Sequence, residues 1–298
     1  MVMLVKYLKV ANIVTTFENA RLSYIITAFL LVIPNVYIQF YKWRYLLKLI
    51  KKDIQNREAF FSLLVGFTFG FITPGRVGEF GRAFFIKNCP WMKVIGISFI
   101  DKFFALSIVL FMGAIGILSL SGSQLHIYIL LPLILFTIIA MLLLRYILIH
   151  PELIRSLLYK INIILPIRDK IKQLIHVFDN FNHGNALRLL SYSFIFYFIF
   201  FTQFFLLVSA FEGTSIIKAF QAISSTLLVK SMLPISLGDL GIRESAAIFF
   251  LGKIGVAKAT AFNASILIFI INILIPSMIG FIIVLKNKLI NIYDYNQS

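Results

Sequence analysis

The stretch from Gly66 to Lys87, GFTFGFITPGRVGEFGRAFFIK, decides how the rest of the chain is read. An apolar, helix-compatible run reaches Thr73, breaks at Pro74-Gly75 and continues through Arg76, Glu79 and Arg82. Three charges and three glycines (Gly75, Gly78, Gly81) therefore stand inside otherwise lipid-soluble sequence. Residues 227–250, LLVKSMLPISLGDLGIRESAAIFF, repeat the grammar. Pro74 and Pro234 are each followed by three residues, then Gly, a carboxylate, an apolar residue and Gly. These are Gly78-Glu79-Phe80-Gly81 and Gly238-Asp239-Leu240-Gly241, with Arg82 and Arg243 close behind. The two stretches read as two copies of one membrane-embedded device.

Composition supports that setting. The chain has 298 residues, of which 60% are hydrophobic and 13% charged. That is too apolar for a soluble domain of this length and points to an integral membrane protein. Several apolar runs are long enough for spanning helices, and the alternation of a membrane β-barrel is missing. The net charge of +16 sits in the loops between spans, where the positive-inside bias and anionic lipid head groups account for it; a nucleic-acid partner is not expected. The single cysteine, Cys89, excludes an intrachain disulfide. Lys6 and Lys9 make residues 1–14 a poor signal peptide, and residues 2–20 read as an interfacial amphipathic helix. No separate soluble catalytic domain fits in the remaining length.

The expected fold is an all-α polytopic helix bundle forming a single membrane domain over 1–298. Residues 22–41 make the first span, with Pro34 as a kink. The basic loop 42–58 should be cytoplasmic. Residues 59–73 cover only about 22 Å as a helix, too short to span comfortably, and 94–120 is the next full span. A re-entrant hairpin with its tip at 73–75 reconciles the sidedness of these loops. A connector span over 127–149 leads to a second basic cytoplasmic loop, 150–186. Residues 187–210 cross outward, 216–258 form a second hairpin from the opposite face, and 259–285 return to a cytoplasmic C-terminus. Repeat 1 (about 22–120) and repeat 2 (about 187–285) thus emerge as two inverted span–hairpin–span units, the arrangement of transporters whose broken helices meet near the midplane.

The breaks carry the candidate chemistry. A Pro-Gly break frees backbone groups that hydrocarbon cannot satisfy. Thr73 before Pro74 reads as a cap plus first-turn proline, and Ser236 to Asp239 as a capping box. A helix N-terminus beside an arginine is a natural cradle for phosphate. Gly78, Gly81, Gly238 and Gly241 should permit close helix approach. The same charges could instead be staples: Arg76–Glu79 and Glu79–Arg82 are three apart and Asp239–Arg243 four apart, each pair on one helix face. Intramembrane charges more often mark a substrate path, and the two roles are compatible. Asp101 has Arg76 or Arg82 as candidate partner. Lys230 is a candidate cavity-facing cation, and Asn263 and Asn272 are candidate interhelical hydrogen-bonders. His126, His150, His176 and His183 lack ligand spacing, so no metal or cofactor is expected.

TPGRVGEFGRAFFIK, Asp101-Lys102 and PISLGDLGIRESA together resemble the lysylphosphatidylglycerol synthase transmembrane-region family, also called flippase-like domain proteins, over about residues 22–285. The basic WRYLLK at 43–48 sits where that family tends to carry an Arg-Trp before a Leu run. Pro74, Gly75, Arg76, Gly78, Glu79 and Arg82 match its first motif. Pro234, Ser236, Gly238, Gly241, Arg243 and Glu244 match its second. The resemblance implies movement of a lipid with an anionic or glycosylated head group, such as a phospholipid or polyprenyl-phosphate-linked lipid, across the cell membrane. The aminoacyl-transferase domain of the synthases is missing, so lysyl transfer is not expected. The substrate-binding set is then Arg76, Glu79, Arg82, Asp101, Lys230, Asp239, Arg243 and Glu244, with no catalytic residue. Two rivals stand beside it: a membrane-embedded lipid-phosphate transferase using Glu79, Asp101 or Asp239 as base, and a non-transporting partner of a lipid-modifying enzyme.

Overall fold

A computed structural model describes residues 10–121, 135, 139 and 183–295, apart from 234 and 237. The connector span expected over 127–149 (apart from residues 135 and 139), nearly all of the loop 150–186, residues 2–9 and Pro234 lie outside the described residues. Within them the chain is helical and contains no strand.

Helix α1 covers Val10–Glu18, α2 Leu22–Leu30 and α3 Val32–Ile50. The last two make one candidate span, Leu22–Ile50. The interruption falls at Leu31, one turn before Pro34, which has no N–H to offer the Leu30 carbonyl. The helix runs on to Ile50, so the expected loop from 42 shrinks to residues 51–55. Lys42 and Trp43 belong to the buried face of a helix. Helix α4, Asn56–Ile72, ends at the first break.

Beyond the break, Val77–Phe85 is wound as a 3-10 segment rather than an α-helix and packs back along α4. The fit is tight: a Cβ on Gly81 would come within 2.8 Å of the Phe69 ring, and one on Gly78 would collide with the Phe69 carbonyl. Helix α5, Trp91–Ser121, is the next span.

Helix α6 is His183–Phe211, α7 Ile216–Met232, α8 Ile242–Lys253 and α9 Lys258–Phe269. Ile270–Leu274 form a π turn that leads into α10, Ile275–Tyr295. Pro276 explains the widening. It cannot donate to the Asn272 carbonyl four residues back, and a π turn absorbs the unmatched acceptor. Four candidate spans result: Leu22–Ile50, Trp91–Leu120, Gly184–Phe211 and Lys258–Lys286.

The broken helix of each half leans on the long span of the other. Helix α7 packs on α5, and α4 packs on α10. Glycines on the spans allow it. A Cβ on Gly116 of α5 would lie 2.6 Å from the Gln221 carbonyl, and one on Gly280 of α10 only 2.5 Å from Thr68 Oγ1. Such backbone contact suits helices that associate without a hydrophobic driving force. Thr68 Oγ1 donates to the Ser277 carbonyl (2.9 Å) and Ser277 Oγ donates to the Phe67 carbonyl (3.0 Å). These bonds tie α4 to α10 where both are buried. Helix α1 lies against α9, where Asn263 donates to the Ile13 carbonyl.

Candidate functional site

The two breaks touch. The Gly75 N–H donates to the Ser236 carbonyl at 3.3 Å, although the prolines that cause the breaks are 160 residues apart in sequence. Both loops use left-handed backbone: Gly75-Arg76 (φ 59° and 58°) in the first and Gly238-Asp239 (φ 55° and 64°) in the second. A non-glycine residue in that region is uncommon and marks a place where tertiary contacts over-determine the backbone. The left-handed pairs sit at different offsets from their prolines, so the two copies differ locally.

The caps are made differently from the sequence expectation. Thr73 does cap, but its Oγ1 accepts from Gly78 N–H (2.6 Å) while Arg76 occupies the N-cap backbone position. The capping box expected at Ser236 to Asp239 is displaced. Helix α8 starts at Ile242, and the Glu244 carboxylate accepts from the Gly241 N–H at 2.5 Å. Ser236 Oγ is buried with no hydrogen-bond partner. Gly241 would meet nothing within 4 Å of an added Cβ. Its role is its φ of 90°, which glycine adopts without strain, and not close approach.

Pairing of the charges also departs from the helix-face expectation. Arg76 does pair with Glu79, at 2.5 Å. Glu79 takes Lys102 as its second partner, while Arg82 turns to Asp101 (3.0 Å). Asp101 in turn holds Lys42 at 2.6 Å. Asp239 pairs with Lys230 at 2.9 Å, and Arg243 pairs with its neighbour Glu244 instead of with Asp239. The staple pattern Glu79–Arg82 and Asp239–Arg243 is therefore not formed. The 3-10 winding after the first break and the left-handed turn before α8 remove the regular α-helical register on which it depended.

The settings of Arg82 and Arg243 match each other closely. Arg82 Nε donates to Ser98 Oγ (3.2 Å), its Nη2 donates to Asp101, and its guanidinium lies 3.5 Å from the Trp43 ring centroid. Arg243 Nε donates to Ser265 Oγ (3.1 Å), its Nη2 donates to Glu244, and its guanidinium lies 5.1 Å from the Phe269 ring centroid. Both are almost fully buried. An aromatic face plus one carboxylate fixes each guanidinium plane, and the Nη1 of each has no hydrogen bond among the described residues.

These groups surround a cavity of about 130 Å³, several times the ~30 Å³ share of one water molecule. Lys42, Arg76, Arg82, Lys102, Lys230 and Arg243 line it, against Glu79 and Asp101. Six cations against two acids leave four net positive charges facing the space. Asp239 and Glu244 pair with lining cations from outside the wall. Of the expected binding residues, Arg76, Glu79, Arg82, Asp101, Lys230 and Arg243 are thus brought to one cavity, and Asp239 and Glu244 stand behind it. Pro234 lies outside the described residues.

Sequence reasoning missed Lys42, Lys102 and an amide group formed by Asn35, Gln39 and Gln203. Lys42 had a signal: Asn35, Gln39, Lys42 and Leu46 recur at helical spacing, and a basic residue on that stripe need not belong to a loop. Asn272 was expected to bond between helices and does, donating to Gln203. Among the described residues, no three His, Cys, Asp or Glu side chains gather as a metal site would require. Cys89 is half-buried, and burial pushes its thiol up, away from the reactive thiolate.

Long apolar helices around a buried, net-positive cavity define an integral membrane protein. The chain matches the family model of the lysylphosphatidylglycerol synthase TM region over residues 1–280 and belongs to that family, which relates it to lipid handling. Searches of curated proteins and of solved structures returned no match.

Proposed function

We propose that this protein binds the anionic head group of a membrane lipid in the cavity between the two breaks and carries it from one leaflet to the other. The observation that carries the reading is the lining itself, six cations against two acids. Each lining cation has a carboxylate partner, but with Asp239 and Glu244 included six cations still meet only four acids. Burying even a paired charge at best breaks even, so this excess of two positive charges calls for an anion. Arg82 and Arg243 are held in plane by their own carboxylates and keep spare donors, the geometry suited to phosphate oxygens.

The half-to-half correspondence supports alternating access. Each arginine reaches the first third of the span that follows its break, through Ser98 on α5 and Ser265 on α9. Each broken helix packs on the other half's span. On this reading the halves are inverted repeats and α4 and α7 are re-entrant. The breaks are the moving contact, and the Gly75–Ser236 bond is a weak latch between them. Acyl chains stay in lipid. The basic residues around Lys51 and the C-terminus face the cytoplasm.

The test is a head-group accessibility assay in proteoliposomes with a fluorescent anionic phospholipid. Arg76→Ala, Lys230→Ala, Arg82→Ala and Arg243→Ala should each slow translocation while the protein still inserts and folds. Wild-type rates in all four would refute the proposal. Loss of activity only in step with loss of folded protein would favour a purely structural role for these charges.

A further inference from the structure

The two breaks share a motif but are anchored differently, and the difference starts at one position. Gly70 and Lys230 each stand four residues before the proline of their break. In the second half Lys230 reaches the acid of its own loop, Asp239, at 2.9 Å. In the first half a side chain at 70 has no room, since even a Cβ would lie 2.5 Å from Glu79 Cγ. Beside Arg76, Glu79 therefore takes a cation from a span, Lys102 of α5.

The rest of the first segment is held in the same way. Arg82 joins α5 through Asp101 and Ser98, and Asp101 also holds Lys42 of α3. Just past the segment, the Lys87 N–H donates to Glu58 Oε1 (2.6 Å) and Lys51 Nζ donates to the Lys87 carbonyl (2.9 Å). Val77–Phe85 is thus wedged on Phe69, ion-paired to a span and tied down behind. Moving it would strip partners from buried charges, which is strongly unfavourable.

The second segment is free of that restraint. Asp239 and Glu244 find their cations, Lys230 and Arg243, on α7 and α8 themselves. Helix α8 reaches α9 through a neutral hydroxyl: Ser265 Oγ accepts from Arg243 Nε and donates to Glu244 (3.3 Å). Gly241 (φ 90°) precedes α8 and Gly255 (φ 91°) follows it, and a Cβ on either would meet nothing within 4 Å. Glycine crosses backbone regions closed to other residues, and the space around both lets the chain turn there. Gly241 falls between the Lys230–Asp239 and Arg243–Glu244 pairs, so a turn at it separates neither acid from its base. Past Gly255 the chain is fixed again, where the Ala257 N–H donates to Glu212 (2.9 Å). The contacts that oppose a turn are hydrogen bonds: Gly241 to Glu244, Ser265 to Arg243 and Glu244, and Gly75 to Ser236. These cost less to exchange than a buried ion pair costs to break.

We infer that the two halves do not move alike: Val77–Phe85 is a fixed wall, and α8 is a rigid lever that rocks between Gly241 and Gly255 and carries Arg243, with Glu244, toward and away from the cavity. The inference rests on the translocation reading proposed above and says which half moves.

Spin labels on the full chain test it, with Cys89→Ser removing the native thiol. Phe249→Cys on α8 and Phe84→Cys on the first segment are each paired with Phe281→Cys on α10; all three side chains are exposed. Distances are read by pulsed electron paramagnetic resonance in phosphatidylcholine nanodiscs with and without phosphatidylglycerol as the anionic probe. Translocation of fluorescent phosphatidylglycerol is followed in proteoliposomes for the wild-type chain and for each variant. Phe249 stands about 12 Å along α8 from Gly241, so a rock of about 15° displaces it roughly 3 Å. The Phe249–Phe281 distance should shift or split by that amount on adding phosphatidylglycerol, and the Phe84–Phe281 distance should stay. Gly255→Ala should hold the α8 distance at its phosphatidylcholine value and slow translocation about tenfold, the scale of the strain an L residue meets at positive φ. Its binding of phosphatidylglycerol, read by native mass spectrometry, should be unchanged. Gly252→Ala, inside the helix and equally uncrowded, should alter neither distance nor rate. A shift at Phe84 as large as that at Phe249, a fixed Phe249 distance in a protein that translocates, or a wild-type rate in Gly255→Ala overturns the lever and leaves translocation standing. If the wild-type chain does not translocate the probe, the translocation reading fails and the lever fails with it.

Discussion

Neutralising Asp101 should separate what stabilises this protein from what binds its ligand. The Asp101 carboxylate holds Lys42 at 2.6 Å through one oxygen and Arg82 at 3.0 Å through the other. Asp101→Asn keeps the shape and one acceptor but leaves two buried cations sharing it. Breaking a buried pair costs about 3–5 kcal/mol, and the retained carbonyl should hold the loss near ~3 kcal/mol. Stability should therefore fall. Ligand affinity should move the other way, because the lining changes from six cations against two acids to six against one. One unit charge at about 6 Å and an effective dielectric of about 20 amounts to roughly 2–3 kcal/mol before screening. Screening and relaxation should reduce this to about 1 kcal/mol, or about fivefold in affinity. The assay is thermal unfolding in nanodiscs, with and without phosphatidylglycerol, alongside a lipid-binding titration at two salt concentrations. The variant should melt earlier without lipid, gain more from lipid than wild type, and show a steeper salt dependence. If affinity falls in parallel with stability and the salt dependence is unchanged, the charge-balance reasoning is wrong.

Glu244→Gln should be among the most destabilising single changes. Its carboxylate is fully buried, holds Arg243 and also accepts from the Gly241 N–H, so about 3–5 kcal/mol is at stake, readable as a lowered melting temperature. Gly280→Val should force α10 away from α4, since even a Cβ would lie 2.5 Å from Thr68 Oγ1; overpacking of this kind costs about 1–3 kcal/mol, measurable as lost folded yield with anionic-lipid binding by the survivors unchanged. Pro74→Cys with Ser236→Cys, in a Cys89→Ser background, should cross-link under mild oxidant, since the two loops already touch. The cross-link should stop translocation, with recovery on reduction, if the breaks are the moving contact.

The fold was largely legible along the chain. Apolar runs at 94–120, 187–210 and 259–285 correspond to α5, α6 and α9–α10, because a segment surrounded by lipid must be apolar throughout its length and satisfy its backbone internally. The breaks were equally plain, since Pro74, Gly75, Gly238 and Gly241 are residues a helix interior disfavours. The end of α3 was misread because Lys42 and Arg44 look like loop charges, whereas a buried carboxylate on another helix, Asp101, accepts Lys42.

The sequence by itself determined that this chain is helical, that it lives in a membrane, that two charged breaks interrupt it, and which family it resembles. Those properties are local: they depend on hydropathy and on which residues can continue a helix. Only the tertiary structure decided which acid meets which base, that the loops at Gly75 and Ser236 touch, and that Asn35, Gln39, Gln203 and Asn272 form one oriented relay. Pairing of charges depends on distance in space, and the left-handed turns at Arg76 and Asp239, with the 3-10 winding between Val77 and Phe85, rotate side chains away from the faces a regular helix would give them. A chain of hydrogen-bond donors and acceptors gains its direction only where one member, here the Ala28 carbonyl, cannot turn around.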